Sequence, residues 1–384
     1  PWPVKYARRL SSLHHKIAVV NEHMCNYDQA FQHLDSSEKN LPARPGNLAT
    51  KINSTRSAIH YRKGEYTDSI EYANQALAIS KKLKSKRDTA YAYNMLANSY
   101  TATGNYHDAI LNLESAVEIY DELEDYPGLA ITYQNMGNGY GFLGEFERAE
   151  EFYNKSLEIN KNLHNSSSVL IIHYCLGDIC LYKQELDDAF RHFDYVIKRS
   201  QDADVRKDLV GVTLYKISMV YFHKDNLDKC EEYIQESLSV LSETQATNFI
   251  VEAKLMLAEL RYDQNRFDES ILICDEILSL ASSLGNNLYV LNALKISADS
   301  YAQTDNYQMA HKMYNEYLSY NDDLDSNYDA AVIILRKAKL PAASDEDADS
   351  ICNMLEIAIN TFSALSDKNN LKEAQALLAK LGEQ

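Results

Sequence analysis

Helix-breaking residues are scarce in this sequence: its 384 residues include only 12 glycines, 6 prolines and a single tryptophan. This scarcity excludes a collagen-like chain or a turn-dense β architecture. The six cysteines form no CxxC pair, so we expect reduced, structural thiols in an intracellular, cytoplasmic protein. No run of 18 apolar residues occurs, and we therefore predict no transmembrane helix and no membrane partner.

The start of the chain lacks both an initiator methionine and the apolar core of a signal peptide. We expect the sequence to be an excised segment or a processed form of a longer protein. The sequence does not reveal its source organism.

Motifs for catalysis or metal binding are absent as well. The string from Gly139 to Gly144 satisfies G-x-G-x-x-G, but that fingerprint requires a preceding strand, and here the glycines end a predicted helix. The histidines show no spacing typical of zinc sites. Alternating oxygens resemble a calcium loop that lacks its glycine and its final glutamate, at Asp323, Asp325, Asn327 and Asp329. We predict no enzyme activity, no metal and no cofactor.

Charge is distributed unevenly along the chain. The net charge is −18, but residues 1–90 carry +7 and the remainder carries −25. An acidic body argues against nucleic acid as a partner, because phosphate contacts need clustered cations. A basic cluster between Lys81 and Arg87 lies at a predicted helix end, where a solvated surface and an acidic partner or neighbouring domain are both open interpretations.

A period of about 40 residues runs through most of the sequence. An aromatic residue or a leucine recurs at intervals of 39 to 41 residues, at Tyr27, Tyr66, Tyr106, Phe146, Leu186, Leu227, Phe267 and Tyr307. We call these the turn residues. Nine residues before each stands a small residue: Ala18, Ser57, Ala97, Gly137, Gly177, Ser218, Ala258 or Ala298. Three residues after each stands another: Ala30, Ser69, Ala109, Ala149, Ala189, Cys230, Ser270 or Ala310.

Short side chains at two fixed positions allow two helices joined by a tight turn to approach closely. Apolar residues recur at three- and four-residue spacing between the turns, which is typical of helices. The pattern therefore predicts one helical hairpin per period. Because a single hairpin cannot bury its apolar face alone, successive hairpins must stack into a solenoid.

These residues resemble the tetratricopeptide repeat family over roughly residues 5–320. The fullest copy comprises Leu96, Ala97, Tyr100, Gly104, Tyr106 and Ala109. Departures include Cys25 at a usual glycine position and Arg261 at a usual tyrosine position. The long period is similar to that of kinesin light chains, Pins-type polarity scaffolds and many bacterial regulators.

The resemblance implies an all-α fold, a right-handed α-solenoid or superhelix. We expect about eight repeats in residues 1–320, followed in residues 321–384 by a degenerate repeat and C-terminal capping helices. Those helices are predicted over residues 328–340, from Asp345 through Phe362, and from Leu371 to Leu381.

The resemblance also implies that the first helix of each repeat lines a concave groove. The residues twelve and eight before the turn residue would face it, namely Asn94, Asn98, Gln134, Asn138, Tyr174, Asp178, Tyr215, Met219, Leu255, Glu259, Lys295 and Asp299. Asn135 to Asn138 resembles the asparagine-bearing helix with which Pins-type scaffolds grip their ligands. An amide can pair with a peptide backbone regardless of the ligand's side chains. Towards the C-terminal end, four residues would make the groove acidic and so favour a ligand that carries Lys or Arg: Asp178, Glu259, Asp263 and Asp299.

Two interpretations of these side chains are open, because asparagine on a helix face is often merely solvated and tyrosine at this spacing often belongs to the core. As a set, they favour a non-enzymatic scaffold that holds a protein or peptide segment, which the acidic groove suggests is basic. The alternative is a sensory or regulatory region of a larger bacterial-type signalling protein, such as a transcription regulator or nucleotide cyclase, that responds to a protein or small ligand. The partner's identity and orientation and the oligomeric state are open.

Overall fold

A computed structural model describes residues 4–42, 46–200, 205–244, 246–320, 328–341 and 348–382. Every regular element in these ranges is an α-helix, so the predicted all-α fold is confirmed. Asp323, Asp325 and Asn327 of the calcium-like string lie outside the described residues. The helices are α1 Val4–His23, α2 Tyr27–Lys39, α3 Leu48–Arg62, α4 Tyr66–Lys82, α5 Lys86–Ala102, α6 Tyr106–Glu122, α7 Tyr126–Phe142, α8 Phe146–Asn162, α9 Ser166–Tyr182, α10 Leu186–Ser200, α11 Lys207–His223, α12 Leu227–Ser242, α13 Thr247–Asp263, α14 Phe267–Leu284, α15 Asn287–Gln303, α16 Tyr307–Ser319, α17 Tyr328–Ala338, α18 Ala348–Ala364 and α19 Lys368–Gly382.

Each of the eight turn residues is the first residue of the second helix in its hairpin. Two residues earlier, the backbone enters the left-handed region in every hairpin, at Cys25, Gly64, Gly104, Gly144, Gln184, Asp225, Asn265 and Asp305. This conformation lets the residue after it donate its N–H back to the last helical turn, as Asn105 does to the Tyr100 carbonyl at 2.8 Å. Glycine adopts it without strain, whereas Cys25 does so at φ 58° with a side chain present.

The sixteen small residues that flank the turns are all buried, as their predicted place at helix crossings requires. At two of the crossings the small residue is glycine, and a neighbouring ring occupies the space that a side chain would need. A Cβ atom at Gly137 would lie 2.6 Å from the ring of Tyr153, and one at Gly177 would lie 2.6 Å from the ring of Phe193. Helix α7 therefore lies directly against an aromatic ring of α8, which no larger residue would allow.

Contacts between helices divide the chain into two compact units, Pro1–Asp204 and Val205–Gln384, which we call unit 1 and unit 2. In unit 1, α1 to α10 pack in chain order, and each first helix also contacts the first helix of the next repeat, from α1 to α9. In unit 2, α17 to α19 pack in sequence behind α16 around a core that includes Tyr314 and Phe362. The predicted division into residues 1–320 and 321–384 stays a prediction.

Two cations of the basic sequence cluster are paired with acids of neighbouring turns. Lys86 pairs with Glu122, and Arg87 Nε lies 2.7 Å from Asp125 Oδ2. Lys81 lies over the ring of Tyr93 instead, 5.0 Å from its centroid. These contacts fit the solvated helix-end interpretation for part of the cluster.

Candidate functional site

A cavity of about 650 Å³ lies in unit 1 against helices α5, α7 and α9. Successive first helices stand side by side, so residues at the same place in each repeat come together. Five residues predicted to face a groove line this cavity: Asn98, Asn135, Asn138, Tyr174 and Asp178. All five are half-buried, which leaves part of each side chain accessible to a ligand.

Two of these amides keep hydrogen-bonding capacity that the fold does not use. Asn138 Oδ1 accepts a hydrogen bond of 2.7 Å from the hydroxyl of Tyr153, while its NH2 group has no acceptor within the described residues. In the same part of the chain, the Asn98 side chain forms no hydrogen bond at all. Burial raises the pKa of Tyr153 far above its usual range, so this phenol stays a donor and fixes the orientation of the Asn138 amide. The cavity therefore presents an amide donor from α7 and a complete amide from α5.

Asn94 occupies a different environment. Its side chain is only 6% exposed, and Nδ2 donates to Thr132 Oγ1 at 2.9 Å. Its Oδ1 accepts from Asn135 Nδ2 at 3.2 Å. Asn94 thus joins α5 to α7, and its predicted role in ligand binding stays a prediction. Gln134 is half-buried on α7 and does not line this cavity.

Aromatic side chains that sequence reasoning missed surround the same cavity. Phe142 and Tyr182 lie four residues before successive turn residues, and more than half of each side chain is exposed. Each ring stacks on the turn residue of the preceding repeat, with centroids 5.4 Å apart for Tyr106 and Phe142 and 5.8 Å apart for Phe146 and Tyr182. The available signal was a large aromatic residue at the same position in two consecutive repeats.

A second cavity, of about 450 Å³, lies within unit 2 and is strongly charged. The predicted residues Glu259, Lys295 and Asp299 line it, together with Asp263 and Arg336. Asp299 accepts a hydrogen bond of 2.5 Å from the hydroxyl of Tyr314 and pairs with Arg336.

Glu259 and Asp263 form no ion pair within 4.0 Å in the described part of unit 2. The pKa of Glu259 is raised because surrounding atoms keep water from part of the carboxylate, although the residue remains exposed; Lys295 opposes this rise and Asp263 adds to it. A ligand cation beside Glu259 would favour its charged form and so oppose both the desolvation of the carboxylate and the repulsion from Asp263.

Tyr215 and Met219 line neither cavity. Both are half-buried on α11, where they pack against a core cluster that contains Ile234 and Met256. Leu255 packs in the same manner against the cluster around Ile277. These three side chains contribute apolar contacts to unit 2.

One group of potential metal ligands occurs in the described residues. His60, Glu65 and Asp68 each place a ligand atom within 4.8 Å of the others. His60 Nδ1 lies 2.6 Å from Glu65 Oε2, and Lys63 also pairs with Glu65. Because the carboxylate is already engaged by these partners, the arrangement is an ionic contact across a turn, and we propose no metal there.

Among the described helices, none is both long enough and apolar enough to cross a membrane.

Comparisons with known proteins agree with the repeat pattern. A family model described as tetratricopeptide repeat matches residues 48–122 and 88–162. No curated protein sequence matches the chain.

Solved structures with a similar fold include the apo form of the quorum sensor NprR from B. thuringiensis, with 12% identity and a TM-score of 0.66 over 96% of this chain and 98% of that one. A Rap protein complexed with competence and sporulation factor has 10% identity and a TM-score of 0.60, covering 99% and 98%. NprR in complex with its cognate peptide NprX has 13% identity and a TM-score of 0.55, covering 97% and 99%. At such identities the likeness establishes the fold alone.

Proposed function

We propose that the chain, which matches the tetratricopeptide repeat model over residues 48–122 and 88–162, binds an extended segment of another protein or a peptide in the cavity of unit 1, without catalysing a reaction. The observation that carries this proposal is the free hydrogen-bonding capacity of Asn98 and Asn138 on neighbouring helices of one cavity. An extended backbone offers alternating donors and acceptors, which two amides in successive repeats can meet.

The aromatic rings around the cavity support the same class of ligand. Phe142, Tyr174 and Tyr182 offer apolar area with little conformational freedom to lose, a combination favoured at peptide interfaces. NprR, which has a similar fold, forms a complex with a cognate peptide, and this supports a peptide as the partner class.

The charged cavity of unit 2 suggests the chemistry of a second contact. Glu259 and Asp263 place two carboxylates beside one opening, and neither has an ion-pair partner among the residues that the structure describes. A Lys or Arg side chain of a ligand at unit 2 would gain favourable pairing there, and we propose that the partner of this cavity is basic.

A sensory or regulatory region of a larger signalling protein stays the alternative hypothesis. It needs the same cavity, and one protein of similar fold, NprR, is a quorum sensor. The flanking gene sequence distinguishes the two: an adjoining ATPase, DNA-binding or cyclase domain supports the regulator, and an isolated repeat protein supports the scaffold.

Selection of short random peptides displayed on phage, followed by titration of the enriched peptides, tests the proposal. Asn98→Ala combined with Asn138→Ala should weaken their binding about tenfold, because two hydrogen bonds of about 0.5–1.5 kcal/mol each are lost. Asn138→Ala also removes the acceptor of the buried Tyr153 hydroxyl, so an unchanged helical circular dichroism signal should be verified for the double variant before affinities are compared.

Asn112→Ala is the matched control, because Asn112 is, like Asn98 and Asn138, a half-buried amide, but it lies outside the cavity and bonds only to the Asp108 carbonyl of its own helix. It should leave the affinity unchanged. Equal affinities of the double variant and the wild type would remove the amides from the binding mechanism, and a selection that enriches no peptide would contradict the function itself.

A further inference from the structure

Unit 1 contains another cavity, of about 490 Å³, against the first halves of α3, α5 and α7. Its wall includes Lys51, Tyr91 and Ile131, which stand fifteen residues before the turn residues of three successive repeats. We call it the Lys51 cavity, and we call the one lined by Asn98 and Asn138 the amide cavity. Each of α3, α5 and α7 contacts the first helix of the repeat before it and of the repeat after it. These three wall residues therefore belong to repeats that have a neighbour on both sides.

The two cavities lie along the same faces of α5 and α7. Tyr91 precedes Asn98 by seven residues, and Ile131 precedes Asn138 by the same number. Seven residues are nearly two helical turns, so each pair shares one face and is separated by about 10 Å along the helix. Between the pairs, the Asn94 amide joins α5 to α7 through its hydrogen bonds. One extended ligand can therefore lie across both cavities.

Exposed apolar side chains form part of the Lys51 cavity. Tyr91 is 48% exposed and Ile131 is 60% exposed, although both lie on inner helices of the array. They occupy the same position in consecutive repeats and line one opening. A ligand side chain that covers them would gain free energy in proportion to the apolar area that it removes from water.

The charges of this wall favour an acidic ligand. Arg87 Nε lies 2.7 Å from Asp125 Oδ2, and Asp88 accepts a hydrogen bond of 2.6 Å from the Ser85 hydroxyl. Lys51, in contrast, is exposed and forms no ion pair within 4.0 Å in the described part of unit 1. Residues 1–90, which include this lysine, carry a net charge of +7. A carboxylate of a ligand would therefore be attracted to Lys51.

The histidine of the same wall does not compete for that carboxylate. His15 Nε2 lies 3.0 Å from Thr55 Oγ1. Burial lowers the pKa of His15; a hydrogen bond with the Lys51 backbone opposes the fall, and the Lys51 charge adds to it. The imidazole is therefore neutral at pH 7, and Lys51 is the cation that a ligand meets.

We propose that the segment bound in the amide cavity continues into the Lys51 cavity, where it places a leucine-type or aromatic side chain against Tyr91 and Ile131 and an aspartate or glutamate beside Lys51. This inference rests on the proposed function and adds a sequence that the partner must carry. Lys51 and Asn98 stand on neighbouring first helices, about 10 Å apart along the axis and about 9 Å across it. The resulting separation of about 14 Å corresponds to about four residues of an extended segment. The acidic residue therefore stands about four positions from the residue whose backbone meets Asn98.

The probe is a library of random dodecapeptides displayed on phage and selected on the full chain. Enriched peptides should share an aspartate or glutamate with an apolar residue close to it. One of them is then synthesised with a fluorescent label, in its selected form, with the acid replaced by its amide, and with the acid replaced by lysine. Fluorescence anisotropy should show binding about tenfold weaker for the amide form and weaker still for the lysine form.

A charge reversal in the protein locates the acidic contact. Lys51→Glu should weaken binding of the selected peptide at least about tenfold and should make the lysine form the better ligand of the two. Lys82→Glu is the control, because it changes the net charge equally at an exposed site on α4 that lines neither cavity. It should leave the order of the peptides unchanged.

A second pair of variants tests the apolar contact. Ile131→Ser should weaken binding about fivefold, because the ligand then covers less apolar surface. Leu111→Ser is the control, since Leu111 on α6 is also 60% exposed and lines neither cavity. Circular dichroism establishes that each variant is folded before affinities are compared.

The outcomes separate this inference from the function on which it rests. Peptides that need Asn98 and Asn138 but carry no acidic residue, or that bind Lys51→Glu and Lys82→Glu alike, would overturn the inference and leave the proposed function standing. Equal behaviour of Ile131→Ser and Leu111→Ser would overturn the apolar contact in the same way. A selection that enriches no peptide would overturn both proposals.

Discussion

Units 1 and 2 place different chemistry at the same positions of one repeat. Eight residues before the turn residue, unit 1 has Asn98, Asn138 and Asp178, whereas unit 2 has Glu259 and Asp299. These residues line a cavity of about 650 Å³ in unit 1 and one of about 450 Å³ in unit 2. The repeat therefore fixes where a side chain lies, and the individual residue decides whether amides or carboxylates predominate in the cavity.

Contacts between the helices differ in the same way. Six residues before the turn residue, Tyr140 in unit 1 stacks on Phe152, with 5.4 Å between ring centroids. At the same position in the seventh repeat, Arg261 has no ring to stack and binds both oxygens of Glu231, at 2.6 and 2.7 Å. Tyr221, at this position in the sixth repeat of the same unit, stacks on Tyr233 with 5.4 Å between ring centroids. The Arg261 ion pair is therefore a local replacement for ring stacking within unit 2.

The largest expected effect is the loss of that ion pair. Arg261→Ala should lower the free energy of unfolding of unit 2 by about 3 kcal/mol, because it leaves the Glu231 carboxylate without its partner in a partly buried place. The Arg261 side chain is only 6% exposed, and its hydrogen bonds are the main reason that the pKa of Glu231 is lowered. Hydrogen exchange of the full chain, measured by mass spectrometry, should show lost protection in α12 and α13.

Arg266→Ala is the control for this variant. Arg266 is 43% exposed and pairs with Glu269 three residues along the same segment, a contact of the kind that contributes less than about 1 kcal/mol. It also approaches Glu231, but only to 3.9 Å, so its removal leaves the close Arg261 pair with that carboxylate intact. Equal losses of protection in the two variants would show that burial of the Arg261 pair does not matter.

In unit 1 the corresponding weak point is the glycine crossing. Gly137→Leu should destabilise α7 and α8 by about 1–3 kcal/mol, because even a Cβ atom would come within 2.6 Å of the Tyr153 ring. Urea denaturation of the full chain, combined with hydrogen exchange, measures the loss and locates it.

Gly139→Ala, two residues along the same helix, separates packing from helix propensity. Its Cβ would lie 3.4 Å from Ile110, so the strain is small and the gain in helix propensity of up to about 1 kcal/mol should offset it. If Gly137→Leu melted like the wild type, the crossing would not be at Gly137.

The smallest expected effect concerns a histidine pair in unit 1. His173 Nδ1 and His192 Nδ1 lie 3.0 Å apart. Burial, helped by the His192 imidazole and Lys161, lowers the pKa of His173 to about 4. Burial also lowers the pKa of His192. Glu150 opposes the fall in the pKa of His192, and Arg191 adds to it.

Because the folded pKa of His173 lies below its ordinary value of 6.5, the unfolded chain binds more protons between these two pH values. The contribution of this pair to stability is complete above about pH 6.5 and is lost as the pH falls towards 4. His173→Gln combined with His192→Gln should flatten the dependence of the unfolding free energy on pH in this window. His107→Gln, at an exposed site on α6, should not change the slope; an unchanged slope in the double variant would count against the pair.

The sequence predicted the fold well because the information repeats. A small residue at one crossing is uninformative, but sixteen of them in register specify where each pair of helices meets, and all sixteen are buried. Each turn residue is the first residue of a helix, because the left-handed turn before it has the same length in every hairpin. The division into two units was not predicted, because periodicity within repeats carries no information about contacts between them.

The candidate site could be predicted only in part. Asn98 and Asn138 line a cavity because their position within the repeat decides where they lie. Asn94 occupies a position of the same kind, but the neighbouring Thr132 and Asn135 bind its amide, and such a contact depends on another repeat's sequence. Phe142 and Tyr182 were missed because a helix requires no aromatic residue there, so the hairpin pattern says nothing about them.

The constant geometry of the turns has a consequence for how such a chain can change in length over evolution. The distance from crossing residue to turn residue is always nine, so the spacings of 39 and 41 residues arise in the joints between hairpins. One residue inserted inside a hairpin would rotate the second helix by about 100° and bring its small residue out of the crossing. The same insertion in a joint leaves both crossings aligned. Joints between hairpins are therefore where natural insertions should accumulate, and where a reporter peptide can be grafted with least disturbance.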